Sequence, residues 1–352
     1  MIALLLAAGT AFFITVLSTP VLIRVLKQRG IGQQIRDDGP FAHPHATKAG
    51  TPTMGGIAIV VAAFVGYCAA HVRSGQIKFA RTGITLMLLI VGLALVGFID
   101  DYFGVRKGRN LGLRKRGKSG GQLLIAAGFA LLALHWVDTS THLSFTRVLD
   151  LDLGTYLWFI WAIVVVVGSS NAVNLTDGLD GLAAGSATLV FAAFTIIAFW
   201  EFRHVPDYGN GTPGFAANSL DLAVIAAAMM GACAGFLWWN AAPARLFMGD
   251  TGSLAIGGAM AGLALLTNTA LLLPILGGLY VIETLSVIAQ IISFRIFHKR
   301  ILRMAPIHHH FEVGGWPEFT VIVRFWLLAG LCVALGLGLF YADFLRIPGA
   351  IG

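Results

Sequence analysis

Four short polar runs in this chain carry the side chains best suited to chemistry. Three runs are rich in aspartate, and the fourth holds three consecutive histidines. Carboxylates and imidazoles are the groups that most often bind cations or move protons near neutral pH. The runs are Ile99–Tyr102, Asn174–Gly181, Met248–Gly252 and Pro306–Glu312.

The adjacent pair Asp100 and Asp101 follows a long apolar stretch. Successive helical positions point about 100° apart, so we expect different partners for the two carboxylates, one a metal or reacting group and the other the protein. A charge costs roughly 2.5–3.5 kcal/mol at the centre of a bilayer, so the pair must face a wet cavity or the interface. The alternative is a solvated helix end.

Asp177 and Asp180 share one face if their segment is helical, because they are three positions apart. The glycine that follows each of them would let the backbone approach a ligand closely. Their spacing does not match a calcium-binding loop. The amides Asn171 and Asn174 on the preceding turn suit a sugar or a base. The alternative role for Asp177 is a cap on the next helix.

Asp250 lies in Gly249–Ser253, at the start of a predicted apolar helix. The free N–H groups and the positive dipole end of a helix N-terminus attract anions. A carboxylate beside an anion site suits Mg²⁺, which proteins commonly hold with one or two carboxylates plus substrate phosphates. Asp250 is therefore the strongest candidate for a Mg²⁺ ligand, and a simple helix N-cap is the alternative.

The histidines His308, His309 and His310 form the fourth run. In an extended segment, positions 308 and 310 would share a face and position 309 would point away. Imidazoles could bind a metal or a phosphate, and they are well suited to proton transfer near neutral pH. The alternative is a solvated loop.

The composition identifies an integral membrane protein. The chain is 57% hydrophobic and 12% charged, with a mean hydropathy of +0.82, far outside the range of soluble proteins. Its long apolar runs favour helices over a barrel, because a helix satisfies its own backbone hydrogen bonds in lipid. We predict an all-α polytopic membrane protein in which residues 1–352 form a single transmembrane domain.

Apolar windows predict about ten transmembrane helices, with ends placed to within roughly 2–4 residues. The spans lie near residues 2–26, 54–72, 82–99, 121–137, 156–173, 181–200, 220–239, 252–268, 270–294 and 321–343.

Basic residues are distributed unevenly among the loops. The odd-numbered loops hold 16 Lys and Arg, whereas the even-numbered loops hold 5. The positive-inside rule therefore predicts that the odd loops face the cytoplasm and that both termini lie outside it. All four polar runs fall in odd loops, which predicts one composite site on the cytoplasmic face. We attribute the net charge of +7 to this topology and to attraction for anionic lipid and phosphate, with no nucleic-acid partner.

The segment Gly112–Ser119 matches the P-loop pattern letter for letter. A P-loop joins a buried strand to a helix in a nucleotide-binding sheet, whereas this charged segment precedes a membrane span, so we reject the match. Its basic side chains remain candidate phosphate contacts, and a topology signal is an equally good account.

Two polar residues lie inside the ninth predicted span, where polar side chains usually face a cavity or a partner. Gln290 is close enough to the cytoplasmic end to reach a ligand. Glu283 is expected to serve helix packing.

Five motifs together resemble those of the phospho-N-acetylmuramoyl-pentapeptide transferases, a branch of the polyprenyl-phosphate N-acetylhexosamine-1-phosphate transferase superfamily. The acidic motifs are shared across the superfamily, whereas the Thr-Pro-Thr-Met-Gly-Gly segment and the three histidines favour this branch. The matching motifs run in order from the first loop to the ninth. They are Thr51–Gly56, Asp100–Tyr102, Asn174–Gly181, Phe247–Ser253 and Ile307–Glu312.

The resemblance implies roles for individual residues. Asp100 and Asp101 match the catalytic acidic pair, Asp250 matches the metal-binding aspartate, and Lys48 matches a lysine of the catalytic cavity. His308, His309 and His310 match a histidine motif near the substrate phosphates and sugar. The implied substrate-binding residues are Thr53, Lys118, Asn174, Asp177, Asp180, Asn240, Phe247 and Gln290, of which Asp180, Asn240, Phe247 and Gln290 fall where the family holds uridine.

One position departs from the family pattern. The family commonly has a lysine two residues after Asp-Asp-Tyr, and this chain has Gly104 there. Arg106 and Lys107 are the candidates to replace it.

The resemblance also implies a reaction. It transfers phospho-MurNAc-pentapeptide from UDP-MurNAc-pentapeptide to undecaprenyl phosphate, with Mg²⁺, and yields lipid I and UMP. The implied setting is the cytoplasmic face of the bacterial inner membrane, often as a homodimer. The nearest alternative is a sister enzyme that uses a UDP-N-acetylhexosamine without a peptide. A secondary transporter is more remote, because such sites tend to lie near the midplane between inverted repeats.

Overall fold

The computed structural model describes residues 1–32, 50–74, 78–106, 112–209 and 214–347. Within these ranges the chain is helical except for loops and one two-stranded antiparallel hairpin. The elements are α1 (Ile2–Gln28), α2 (Gly56–Ser74), α3 (Arg81–Arg106), α4 (Lys115–Leu132), β1 (His142–Ser144), β2 (Val148–Asp152), α5 (Gly154–Thr176), α6 (Leu182–Arg203), α7 (Val205–Tyr208), α8 (Phe215–Asn240), α9 (Gly249–Leu266), α10 (Leu273–Leu276), α11 (Gly278–Phe297), α12 (Ile307–Val313) and α13 (Glu318–Phe344).

Nine of the described helices are long and apolar enough to cross a membrane, namely α1, α3, α4 with its π-helical extension to Val137, α5, α6, α8, α9, α11 and α13. The remaining predicted span, residues 54–72, corresponds to α2, whose apolar part Gly56–Val72 is shorter. The predicted all-α membrane class is therefore confirmed. The side of the membrane on which the termini lie stays a prediction.

Several helices extend beyond their apolar windows at the polar ends. The α3 helix continues through Asp100 and Asp101 to Arg106, so the acidic pair lies inside a helix and does not close it as expected. The α4 helix begins at Lys115, which puts Lys118 in its first turn. The predicted ninth span is divided into α10 and α11.

The α9 helix is the centre of the bundle, and every residue from Thr251 to Leu266 is buried. Glycine lets its neighbours approach closely. A Cβ at Gly97 of α3 would overlap the carbonyl oxygen of Asp250, and a Cβ at Gly56 of α2 would overlap the backbone nitrogen of Gly252. Small residues at helix interfaces are the usual means of close packing in lipid.

The bundle has two ends that differ in the elements that meet there. At one, which we call the polar end, the C-termini of α3, α5 and α8 meet the N-termini of α4 and α9. At the other, the hairpin end, the β1–β2 hairpin contacts the turn after α9 and the C-terminus of α13.

Replacing Gly97 with alanine should destabilise the protein, because the new methyl group must push α3 away from α9. Overpacking of a filled core typically costs about 1–3 kcal/mol. The matched control is Gly128→Ala in α4, where a Cβ would meet nothing within 4 Å, so that variant should be neutral or slightly more stable. Thermal unfolding of both variants in one detergent measures the difference, and equal midpoints would contradict the assigned packing.

Candidate active site

Side chains from the ends of four helices meet at the polar end. Asp100 and Asp101 come from α3, Lys118 from the first turn of α4, Asn174 from the last turn of α5, and Asp250 from the first turn of α9. Direct hydrogen bonds or ion pairs connect these five residues, which we call the acidic site. Three of the four polar runs in the sequence therefore contribute side chains to the acidic site.

Asp101 closes the N-terminus of α9. One carboxylate oxygen accepts the N–H of Asp250 at 3.0 Å, and the other accepts the N–H of Thr251 at 3.0 Å and its hydroxyl at 2.6 Å. The first N–H groups of a helix lack partners within the helix, and negative charge is favoured there. The predicted attraction of anions to these N–H groups is confirmed for an anion of the protein itself, the Asp101 carboxylate.

Gly249 is required where α9 begins. Its φ is +71°, a conformation that other residues rarely adopt, and a Cβ there would lie 2.6 Å from the Asp101 carboxylate. The N-cap residue of α9 is Met248, whose own side chain makes no capping hydrogen bond, so Asp250 is not the simple N-cap considered as its alternative role.

Asp100 has different surroundings from its neighbour. Its Oδ1 accepts the N–H of Leu113 at 2.7 Å, and its Oδ2 lies 3.6 Å from Nζ of Lys118. The side chain is 14% exposed, so it is accessible from the polar end. The two carboxylates do have different partners, because Asp101 binds a helix N-terminus and Asp100 binds the Leu113 N–H and faces the Lys118 ammonium. That Asp100 turns to a metal or reacting group stays a prediction.

Asp250 lies between a cation and an amide. One of its oxygens accepts from the ammonium of Lys118 and the other from the amide of Asn174. That amide also donates to the hydroxyl of Ser253 at 2.9 Å. Three carboxylates therefore share the acidic site with one ammonium, which leaves the site negative and attractive to cations.

A divalent cation fits the acidic site between Asp100 and Asp250. Both carboxylates face the Lys118 ammonium, so a cation is already accommodated there. Across the described part of the chain, no three His, Cys, Asp or Glu residues are grouped as a metal-binding set. Two carboxylates, completed by substrate phosphates, are a common set of ligands for a divalent cation.

Asp177 and Asp180 lie in the turn between α5 and α6, so the helical face expected for them is wrong. Asp180 is buried, and its Oδ2 accepts the N–H of Ala244 at 2.8 Å. The N-cap residue of α6 is Gly181, which excludes the alternative that Asp177 caps that helix. Burial and the nearby carboxylates raise the pKa of Asp177 to about 8, so it keeps its proton near neutral pH.

The histidine run is helical, and the extended conformation considered for it is wrong. His308 is fully buried, and its Nδ1 lies 3.0 Å from Oε2 of Glu283. A Cβ at Gly178 would overlap its Nε2, so this glycine lets the acidic turn and α12 come together. Glu283 therefore faces a histidine, in contrast to the packing role expected for it.

The other two histidines are bound differently. Nδ1 of His309 lies 2.7 Å from Oε2 of Glu312, and Nδ1 of His310 accepts the N–H of Arg303 at 3.0 Å. The rings of His309 and His308 are in contact, with centroids 4.2 Å apart. His308 and His309 thus lie near the turn that contains Asp177 and Asp180, and His310 holds the loop before α12.

The segment Thr51–Gly56 is tied to the entrance of α9. Three backbone hydrogen bonds of 2.8 Å join it to Phe247 and Met248. This pairing places the Thr53 hydroxyl beside Gly249, next to the acidic site. Phe247 is half-buried at the same place.

Asn240 and Gln290 both bind the protein backbone. The Asn240 amide donates to the carbonyl of Leu246 at 2.9 Å. The Gln290 side chain accepts the N–H of Leu302 at 3.0 Å and donates to its carbonyl at 3.2 Å, so it holds a loop in place. Lys48 lies outside the described residues.

One of the two residues considered as replacements for the family lysine at position 104, Arg106, lies within the described part of the chain. The Arg106 guanidinium lies 6.0 Å from the ring centroid of Tyr102, one turn earlier on α3. Its side chain is exposed at the polar end. Lys107 falls outside the described residues.

Three further residues had no part in the site assigned from the sequence. Thr251 and Ser253 bind Asp101 and Asn174, and their signal was a pair of hydroxyls at a helix start. Glu283 binds His308, and its signal was a carboxylate inside an apolar span, which requires a partner.

Comparison with known proteins gives one consistent result. The family model described as glycosyl transferase family 4 matches residues 82–268, and the first signature of phospho-N-acetylmuramoyl-pentapeptide-transferase matches residues 48–60. The chain is 51% identical to the phospho-N-acetylmuramoyl-pentapeptide-transferase of Frankia alni, over 97% of this chain and 98% of that relative. The proteins of the same name from Streptomyces griseus and Corynebacterium kroppenstedtii are 49% and 47% identical, over 96% and 98% of this chain and 98% and 99% of the relatives.

Removal of the Asp101 side chain should destabilise the protein more than removal of its neighbour. Asp101→Ala leaves two N–H groups and a hydroxyl at the start of α9 without an acceptor, a loss of about 3 kcal/mol. Asp100→Ala removes one accepted backbone hydrogen bond, so its loss should be about 1 kcal/mol. Thermal unfolding in matched detergent compares the two, and a larger loss in Asp100→Ala would refute the assignment.

Proposed function

The chain belongs to the phospho-N-acetylmuramoyl-pentapeptide transferase family, and from this premise we propose that it transfers phospho-MurNAc-pentapeptide from UDP-MurNAc-pentapeptide to undecaprenyl phosphate. The products are lipid I and UMP. The observation that supports this function best is the acidic site, where three carboxylates and one ammonium meet at one end of a membrane bundle. A water-soluble donor and a lipid acceptor can meet at such a place.

The proposed chemistry is phosphoryl transfer. An oxygen of the lipid phosphate bonds to the sugar-linked phosphorus, the bond from that phosphorus to the bridging oxygen breaks, and UMP leaves with the oxygen. Several negative charges converge, so positioning and charge neutralisation are the main requirements. Lys118 supplies one positive charge at this point.

We assign the reacting carboxylate to Asp100. Asp101 already accepts three hydrogen bonds from the start of α9, which hold it in place and leave it poorly suited to take a proton. Asp100 is partly exposed and can orient or deprotonate the lipid phosphate. A covalent phospho-aspartate route would use a carboxylate as nucleophile, and trapping of a phosphorylated enzyme separates it from direct attack.

The proposed cofactor is Mg²⁺, with Asp250 as its ligand and Asp100 beside it. When bound, the ion would neutralise charge on the diphosphate oxygens. The Lys118 ammonium now lies between the two carboxylates, so Lys118 must move when the ion binds. This movement would free Lys118 to contact the substrate.

The surrounding residues suit the two parts of the donor. His308, His309 and Asp177 line the side of the turn after α5, and we assign them to the phosphates and sugar. We assign uridine to the segment around Phe247, whose shape depends on two backbone contacts. One is the hydrogen bond that the Ala244 N–H donates to Asp180, and the other is the hydrogen bond that the Asn240 amide donates to the Leu246 carbonyl.

The setting of the reaction follows from the family and the charge distribution. The chain is a multi-span membrane protein of a bacterial cell-wall synthesis family. We propose that the acidic site lies on the cytoplasmic face of the inner membrane, because the basic loops cluster at that end. A homodimer and a single catalytic domain over residues 1–352 are part of the same proposal.

UMP release by the purified protein tests the function directly. With undecaprenyl phosphate and Mg²⁺, UDP-MurNAc-pentapeptide should be consumed, and UDP-N-acetylglucosamine should not. Asp250→Asn should lower the rate by at least about 100-fold, since it removes a charged group from the reacting centre. The control is Asp150→Asn, at an exposed position of the hairpin. Preference for the peptide-free sugar would favour the sister enzyme, and unchanged activity of Asp250→Asn would exclude the proposed metal site.

Neutralising Lys118 should tighten metal binding while it slows the reaction. Lys118→Met keeps most of the side-chain volume but removes the cation that competes for Asp100 and Asp250. We expect Mn²⁺ affinity without substrate to rise about tenfold, which corresponds to 1.4 kcal/mol. Electron paramagnetic resonance of added Mn²⁺ measures it, with Lys115→Met, at an exposed position on the same turn, as the control. Weaker Mn²⁺ binding in Lys118→Met would contradict the competition.

A further inference from the structure

A second polar cavity lies at the hairpin end. Its volume is about 320 Å³, and it is formed by the hairpin turn, the C-termini of α6, α9 and α13, and the short helix α7. The α9 helix of 18 residues separates it from the acidic site, a length of about 27 Å at 1.5 Å per residue. The cavity therefore has no part in the transfer reaction proposed above.

Carboxylates outnumber cations in the wall of this cavity. The wall contains Glu201, Asp207 and Asp343, and one guanidinium, that of Arg147. The guanidinium donates to both oxygens of Asp343, at 2.8 and 3.1 Å, so these two charges compensate each other. Within the ranges that the structure covers, neither Glu201 nor Asp207 forms an ion pair.

Two buried groups in the wall point to a ligand. Glu201 is only 2% exposed, and Ser219 is its hydrogen-bond partner. Tyr208 is 8% exposed, and its hydroxyl has no partner among the described residues. Buried polar groups are nearly always hydrogen-bonded, because an unmade bond is costly. Burial and the Glu201 carboxylate raise the pKa of Tyr208, which keeps the phenol available as a donor.

We propose that this cavity binds a compact primary amine, with its ammonium on Glu201 and Asp207 and an oxygen of the same ligand on the Tyr208 hydroxyl. An ammonium offers three N–H donors, which matches carboxylates that lack a cation. A bare divalent metal fits less well, because a cation offers no acceptor to the Tyr208 hydroxyl. The volume equals the share of about ten water molecules, enough for an ethanolamine-sized group with its phosphate.

The ammonium could reach the cavity on a membrane lipid or as a free amine, and the two sources share the same chemistry. Leu149 lines the cavity and is 41% exposed, so the wall continues into an apolar surface. Phosphatidylethanolamine carries a primary ammonium and a phosphate, whereas phosphatidylcholine has the same phosphate but no N–H donor. These two lipids therefore form a matched pair of probes.

Native mass spectrometry of the delipidated full-length protein tests the proposal. Equal amounts of the two lipids are added, and we expect retention of phosphatidylethanolamine to exceed that of phosphatidylcholine by about tenfold, as for one charge-assisted hydrogen-bonded contact. Glu201→Gln should abolish this preference, and Tyr208→Phe should reduce the retention of phosphatidylethanolamine about threefold to tenfold. Asp150→Asn, which removes an exposed carboxylate on the hairpin outside the cavity, should keep it.

A second arm adds millimolar ethanolamine to the protein and follows the thermal midpoint. Stabilisation by ethanolamine without selective lipid retention would support the amine site and assign it to a free ligand. Tyr208→Phe keeps the shape of the side chain, so it remains informative if Glu201→Gln fails to fold. Equal retention of both lipids together with no effect of ethanolamine, or unchanged retention of phosphatidylethanolamine in Tyr208→Phe, would overturn the proposal.

Discussion

The carboxylate of Asp101 on the first N–H groups of α9 is the interaction on which the rest of the site depends. A buried helix cannot leave those donors without a partner, and lipid offers none. Asp101 satisfies them from α3 and thereby fixes the position of α3 against α9. Asp100 directly precedes Asp101 on α3, and Asp250 is one of the two residues whose N–H groups Asp101 accepts. The same contact therefore sets the distance between Asp100 and Asp250.

Close packing makes that contact possible. The α9 helix is buried along its length, and glycines on α2 and α3 remove the Cβ atoms that would keep the helices apart. The cost is that three carboxylates are brought together in a partly buried space where their repulsion is poorly screened. Lys118 offsets part of this charge, and its place in the first turn of α4 follows from a helix that begins earlier than its apolar window.

Hydropathy was sufficient to predict the helices, because a span in lipid must be long, apolar and internally hydrogen-bonded. It also placed the acidic runs at one end of the bundle. It could not give the conformation of short polar segments, whose shape depends on partners far away in the chain. Spacing alone is compatible with a helix at Asp177 and an extended segment at His308, whereas the structure has a turn and a helix at these places. There Gly178 packs against His308. Neither the role of Asp101 as a helix partner nor the Glu283–His308 pair is visible from spacing alone.

The two ends of the molecule differ in how their charges are balanced. At the acidic site the carboxylates are in contact with donors of the protein, yet one ammonium cannot neutralise three of them. The site therefore attracts cations, and the proposed metal ion can be exchanged during a reaction in a way that a fixed side chain cannot. At the hairpin end, Arg147 and Asp343 compensate each other, and the remaining charge lies on carboxylates beside a phenol without a partner. An unmatched donor next to an unmatched charge calls for a ligand with both an acceptor and a positive charge, which a metal ion alone does not provide.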